Sequence, residues 1–150
     1  MIEQKGVIVM DKFDKQTTGM AGEFLAVGKL FKKGLQVSIT FGNAKGIDLF
    51  VHNPENGKNY TVQVKTQRNQ DNFFLKEKRI KNDIIFIFII LNEFEQNEDF
   101  FIVKGSEILK DLKKFYGQTY NNENPSEMSA IRWKSLKEEY KDKWDVFFEK

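Results

Sequence analysis

The chain has no cysteine, one histidine and two prolines. Without thiols it can have no disulfide scaffold, thiolate metal site or cysteine nucleophile, and this fits a reducing, cytoplasmic setting. The lone histidine, His52, falls near a turn and reads as a turn residue, so no Ser/His/Asp triad can be built on it. No glycine-rich phosphate loop of P-loop or dinucleotide type is present. Charge of either sign is barely in excess, with 24 Lys and Arg against 22 Asp and Glu for a net +2. That excludes a protein that coats polyanions by bulk charge, although local basic patches can still steer a nucleic acid. Long apolar runs are also missing. "IIFIFIIL", Ile84 to Leu91, falls far short of the roughly 18 residues that span a bilayer, and "MIEQKGVIVMDKFDK" places acids and lysines where a signal peptide needs an apolar stretch. A soluble cytoplasmic protein with no membrane partner is the expectation. There is no repeat, low-complexity tract or Pro/Gly/Ser linker, so the 150 residues are read as a single domain, with 15 phenylalanines supplying its core.

The apolar pattern supplies the elements. Thr17 or Thr18 can cap a helix over Gly19 to Lys33, with Met20, Phe24, Val27 and Phe31 at helical spacing and Gly34 as its stop. The period then changes to two, and "LQVSIT", "IDLFVH" and "YTVQVKT" read as strands, the last two joined by "NPENGK". "IIFIFIIL" predicts a central strand buried on both faces, with "FFIV", Phe100 to Val103, as its hairpin neighbour. Ser106 can cap a helix over Glu107 to Tyr116, and Tyr116 to Ser129 reads as a long surface loop. "SLKE", Ser135 to Glu138, has capping-box form and predicts a helix with Leu136, Tyr140, Trp144 and Phe147 along one side. The order of elements implies a mixed sheet of about five strands flanked by helices, an α/β fold.

Polar residues interrupt this pattern in one place. In "IDLFVH" the apolar Ile47, Leu49 and Val51 face one way, which sends Asp48 the other. A four-residue loop from Pro54 to Gly57 sets Asp48 opposite Gln63, whereas an Asn56-Gly57 turn sets it opposite Lys65. Both registers have the same parity, so Asp48, Gln63 and Lys65 share a face. A carboxylate, an amide oxygen and an ammonium together suit a hard divalent cation that awaits phosphate oxygens, with the lysine orienting or helping to deprotonate water. Glu23, on the flank of the apolar stripe of the first helix, can reach such a cation directly or through water. The bland alternatives are a cross-strand ion pair for Asp48 and Lys65 and a helix-flank pair with a lysine for Glu23.

The segments "GEFLAVGKL", "GIDLFV" and "VQVKT" resemble the PD-(D/E)xK nuclease superfamily, whose fold is called restriction-endonuclease-like. The resemblance covers residues 17 to 66 and, beyond them, the order of elements. It implies a Mg²⁺- or Mn²⁺-dependent endonuclease whose partner is nucleic acid, DNA before RNA. Glu23, Asp48, Gln63 and Lys65 then form the catalytic set, and Asp48, Gln63, the Val64 carbonyl and Glu23 are the metal ligands. The chain departs from the family pattern at Ile47, where a proline often stands, and at Gln63, where an acid is usual. Double-strand cutting would call for two copies of the site, hence a homodimer. Two basic stretches flank it in sequence: Lys29, Lys32, Lys33 and Lys45 before Asp48, and Arg68, Lys76, Lys78, Arg79 and Lys81 after Lys65. Such residues can bind backbone phosphates, or form an ordinary solvated surface. Phe73 and Phe74 can stack on bases if exposed, or pack in the core. The competing function is a non-catalytic module of the same fold that binds nucleic acid or a protein, the reading that Gln63 favours.

Overall fold

The computed structural model describes residues 14–40, 46–126 and 129–150. Helix α1, Lys15–Lys32, begins earlier than the threonines suggest, because Asp14 is the cap and its Oδ1 accepts the Thr17 N–H at 2.6 Å. A carboxylate satisfies an unpaired amide at a helix start and also faces the positive end of the helix dipole. That hydrogen bond holds the Asp14 carboxyl below its ordinary pKa. The helix stops where expected, since Gly34 takes the left-handed φ of 86° that side chains disfavour. Its buried face differs from the predicted stripe. Gly22, Ala26, Val27 and Leu30 are buried, while Phe24 and Phe31 are each 53% exposed.

Strands β1 (Gln36–Ile39), β2 (Leu49–His52), β3 (Asn59–Gln67), β5 (Ile84–Ile90) and β6 (Asp99–Lys104) form one mixed sheet in the order β1-β2-β3-β5-β6. Only the β3–β5 pair is parallel within it. A two-stranded sheet pairs β4 (Phe73–Phe74) with β7 (Ala130–Ile131). The predicted α/β architecture is observed, including β5 with all seven residues buried and β6 as its antiparallel neighbour. Period-two alternation divides β5 between two cores. Ile85, Ile87 and Ile89 join Ala26, Val27 and Leu30 under α1, and Phe86, Phe88 and Ile90 join Phe73, Phe115 and Leu136 on the other face. Each of the larger side chains, Val, Leu, Ile or Phe, contributes about 1.5–3 kcal/mol by leaving water.

The C-terminal half departs from prediction in two respects. The helix expected over Glu107 to Tyr116 is two short ones, α2 (Gly105–Lys110) and α3 (Leu112–Tyr116), divided at Asp111 with φ −147°. Asp111 caps α3 by accepting the Lys114 N–H, and Ser106 lies inside α2 rather than at its cap. The predicted last helix is likewise broken, into α4 (Trp133–Leu136) and a 3₁₀ turn at Trp144–Phe148. All four of its marker residues are buried, but Leu136 and Tyr140 lie in one core and Trp144 and Phe147 in the other. No straight helix can serve both faces of a sheet, so the chain turns round the β6 edge. Ile102 N–H donates to Tyr140 O at 3.0 Å and Asp142 N–H to Phe100 O at 2.8 Å, with Asp142 at φ 53°. No helix among the described residues is long and apolar enough to cross a membrane.

Candidate functional site

The hairpin between β2 and β3 closes with Asn53 N–H donating to Lys58 O at 2.9 Å, which is the four-residue loop. Leu49 then pairs with Val62. Asp48 lies just before β2, where its N–H also donates to Val62 O, at 2.8 Å, and its C=O accepts from Thr40 N–H at 2.9 Å. These bonds fix its backbone. The carboxylate bends back along the edge of β3 and its Oδ2 accepts the Val64 N–H at 2.7 Å. Because the N–H and C=O of one strand residue point to the same side, the Val64 carbonyl projects toward the Asp48 side as well.

Val62 and Val64 pack under α1, whereas Gln63 and Lys65 stand beside their β5 partners Phe86 and Phe88 on the opposite face. Gln63 and Lys65 therefore share a face as alternation requires. Asp48, expected on that face too, lies before β2 and outside its strand alternation, and its carboxylate meets the Val64 N–H of the β3 backbone. From the α1 side comes Glu23, one helical turn before the buried Val27 and two before Leu30. Burial first, then the charge of Asp48 and a hydrogen bond between the two carboxyl groups, raise Glu23 from an ordinary 4.5 to about 7. From the other side comes Lys65. Burial pulls its pKa down, the Asp48 carboxylate opposes that shift, and the Arg79 guanidinium adds to it. The three side chains from α1, the β2 entry and β3 thus share one electrostatic environment.

The oxygens available to a hard cation follow from this placement. One Asp48 oxygen is engaged by Val64, and Gln63 Oε1 is buried with no hydrogen-bond partner. A buried amide oxygen left without a donor costs about 1–3 kcal/mol unless something else satisfies it. Among the described residues no group of three or more His, Cys, Asp or Glu could hold a metal, so a cation here would draw on amide and carbonyl oxygens as well as carboxylates.

Crowding of Glu23 against Asp48 has a testable pH signature in the metal-free protein. Below pH 4.5 Glu23 is protonated in both folded and unfolded chains. Between 4.5 and about 7 the unfolded chain releases the proton first, so this group lowers stability as pH rises, and the penalty is complete above 7. Glu23→Gln in EDTA is therefore expected to stabilise the protein at about pH 8 by about 1 kcal/mol, discounted for partial solvent access, and to change nothing near pH 4. Urea melts at the two pH values check this, and equal stabilities at pH 8 would show that neither burial nor the Asp48 charge opposes ionisation of Glu23.

The basic residues divide. A cleft of about 450 Å³ at the C-terminal end of β3 is lined by Lys65 and Arg68 together with Lys15, Thr18 and Phe74. Arg68 Nε donates to Thr18 Oγ1 at 3.0 Å. Arg79 stands near Lys65. Lys76 and Lys78 line a separate groove with Pro125 and Ser126, and Lys45 lies outside the described residues. The sequence offers Thr18 only as a helix cap and passes over Lys15, because the helix it predicts starts at Gly19 rather than Lys15. No pattern in the chain pointed to Lys15.

No protein-family model matches the chain, and no curated protein does. What the chain shares with a solved structure is its architecture, a five-stranded mixed sheet flanked by helices. The chain is similar to a bacterial homing endonuclease, I-Ssp6803I, at a TM-score of 0.55 and 15% identity, over 89% of this chain and 90% of that one. At that identity the likeness is one of fold.

Proposed function

We propose that the chain is a metal-dependent endonuclease of the PD-(D/E)xK type in its Q-x-K form, acting on DNA. The observation that carries this reading is the Asp48 carboxylate, fixed by Val64 N–H at 2.7 Å between Glu23 on one side and Lys65 on the other. The fold shared with a homing endonuclease supports it, as does the orphaned Gln63 Oε1.

Asp48, Glu23, Gln63 Oε1 and the Val64 carbonyl would hold Mg²⁺ or Mn²⁺. A bound cation of this kind neutralises charge on the phosphate and eases the ionisation of water. The chain's own residues do the rest. Asp48 is kept in place by its two backbone hydrogen bonds and by its own carboxylate contact, so it needs no reorganisation when substrate arrives. Lys65, with its ammonium destabilised by burial, orients the attacking water and exchanges a proton more readily than a solvated lysine. As water oxygen bonds to phosphorus, the ester P–O bond breaks and its oxygen leaves with a proton. Lys65 and Arg79 offset the charge that builds on the phosphoryl oxygens.

The test combines cleavage with metal binding. Plasmid, linear duplex, single-stranded DNA and structured RNA are incubated with Mg²⁺, Mn²⁺ or EDTA, and Mn²⁺ is titrated calorimetrically into wild type and Asp48→Ala. Cleavage in metal but not in EDTA is expected, with Mn²⁺ affinity at least about tenfold weaker in the variant. Absence of both cleavage and metal binding would replace this reading with a non-catalytic module of the same fold.

A further inference from the structure

We propose that the cleft beside Lys65 binds single-stranded nucleic acid, with an unpaired base stacked on the ring of Phe74. Strand β4 contains two consecutive phenylalanines, and alternation sends them in opposite directions. Phe73 is 3% exposed and packs on Phe88 with ring centroids 4.9 Å apart. Phe74 is 62% exposed and forms part of the cleft wall. Core packing therefore accounts for the first ring and not for the second.

Phe74 is also held in place. β4 pairs with β7, Leu75 N–H donates to Ser129 O at 3.4 Å, and the Tyr116 hydroxyl donates to Leu75 O. Turning Phe74 inward would pull Phe73 out of its core, so the ring is presented to solvent as a fixed platform. Around it the cleft is cationic. Lys15, Lys65 and Arg68 line it, no acid among the described residues does, and Thr18 holds the Arg68 guanidinium through Nε. A flat apolar ring among cations matches a nucleotide strand, whose phosphates meet the cations while a base covers the ring. The volume of about 450 Å³ falls within the ~300–1,000 Å³ of small-molecule sites, which is room for a nucleotide and not for a duplex. In a duplex, moreover, each base face is already covered by its neighbours, leaving only an unpaired base to stack.

The inference rests on the nuclease reading only in directing the strand past Lys65. Binding is therefore measured in EDTA, where no cleavage occurs. A single-stranded oligonucleotide carrying 2-aminopurine and a duplex of the same sequence are titrated into wild type, Phe74→Ala and Phe74→Trp. Wild type is expected to prefer the single strand and to quench 2-aminopurine. Phe74→Ala should bind it about tenfold more weakly without quenching, Phe74→Trp should retain both, and duplex affinity should be the same in all three. Equal single-strand affinity in wild type and Phe74→Ala, or tighter binding of the duplex by wild type, would overturn the proposal. Stacking without cleavage in Mg²⁺ or Mn²⁺ would keep this site and sink the nuclease reading. Cleavage by a protein indifferent to Phe74 would do the reverse.

Discussion

Replacing Lys65 with alanine is expected to lower metal-dependent cleavage about 10³-fold, the usual cost of removing one preorganised charge from a transition state, while Mn²⁺ affinity and the melting transition stay close to wild type. The separation of effects follows from the geometry. Lys65 carries no oxygen for a cation, and its ammonium is already disfavoured by burial, so its removal costs the resting fold little. What is lost appears only as charge develops on the phosphate, about 4 kcal/mol of barrier. Lys65→Arg should restore little, because guanidinium does not give up its proton and presents a planar fork instead of a point charge. Single-turnover cleavage beside calorimetry would check both variants. Unchanged specific activity in a folded Lys65→Ala protein would end the catalytic assignment.

The second large effect is structural and lies next to the site. Gly22 faces β3 so closely that a Cβ built on it would be 1.8 Å from Thr66 Oγ1 and 2.6 Å from Thr66 Cβ. Rotating the threonine relieves the first contact but not the second, which needs the helix or the strand to move. Alanine gains about 1 kcal/mol of helix propensity over glycine, yet overpacking at such distances costs more. Gly22→Ala is expected to destabilise the fold by about 3 kcal/mol, a substantial part of the ~5–15 kcal/mol that holds a domain together. Gly22 adjoins Glu23, and Thr66 adjoins Lys65, so the same displacement would move two site residues apart. Adding Thr66→Gly, which removes the opposing Cβ, should recover most of the loss, whereas Thr66→Ala should recover less. Urea melts of the single and double variants measure this, and a Gly22→Ala protein as stable as wild type would mean that α1 can slide on the sheet without cost.

The sequence made the sheet legible for a simple reason. β2, β3 and β5 have long runs of strict alternation or unbroken β-branched and aromatic residues, and a strand that is wrong by one position would reverse every side chain. The parity that brings Gln63 and Lys65 to one face is fixed by the same rule. Glu23 is visible as an acid out of place between Val27 and Leu30, both of which are buried, although the apolar stripe beside it also takes in Phe24 and Phe31, which tertiary packing leaves outside while it buries Gly22 and Ala26. Apolar spacing cannot reveal that a helix meets a strand through its smallest residues. The side-chain reach of Asp48 was not legible either, since its contact with Val64 depends on where β2 parts from β3. Nor were the broken C-terminal helices, whose residues have helical spacing but belong to opposite faces of the sheet.

That crossing has a consequence for how the protein is made. The core under α1 is closed by Phe147, whose ring meets Tyr60 edge-on at 5.3 Å and whose carbonyl accepts from Asn53 Nδ2 across 94 residues of chain. During synthesis on a ribosome, α1 and the first three strands therefore emerge long before their covering residues do. The nascent chain must carry an open apolar face past the exit tunnel, and the hairpin that positions Asp48 reaches its final packing only after the last aromatic turn has been released.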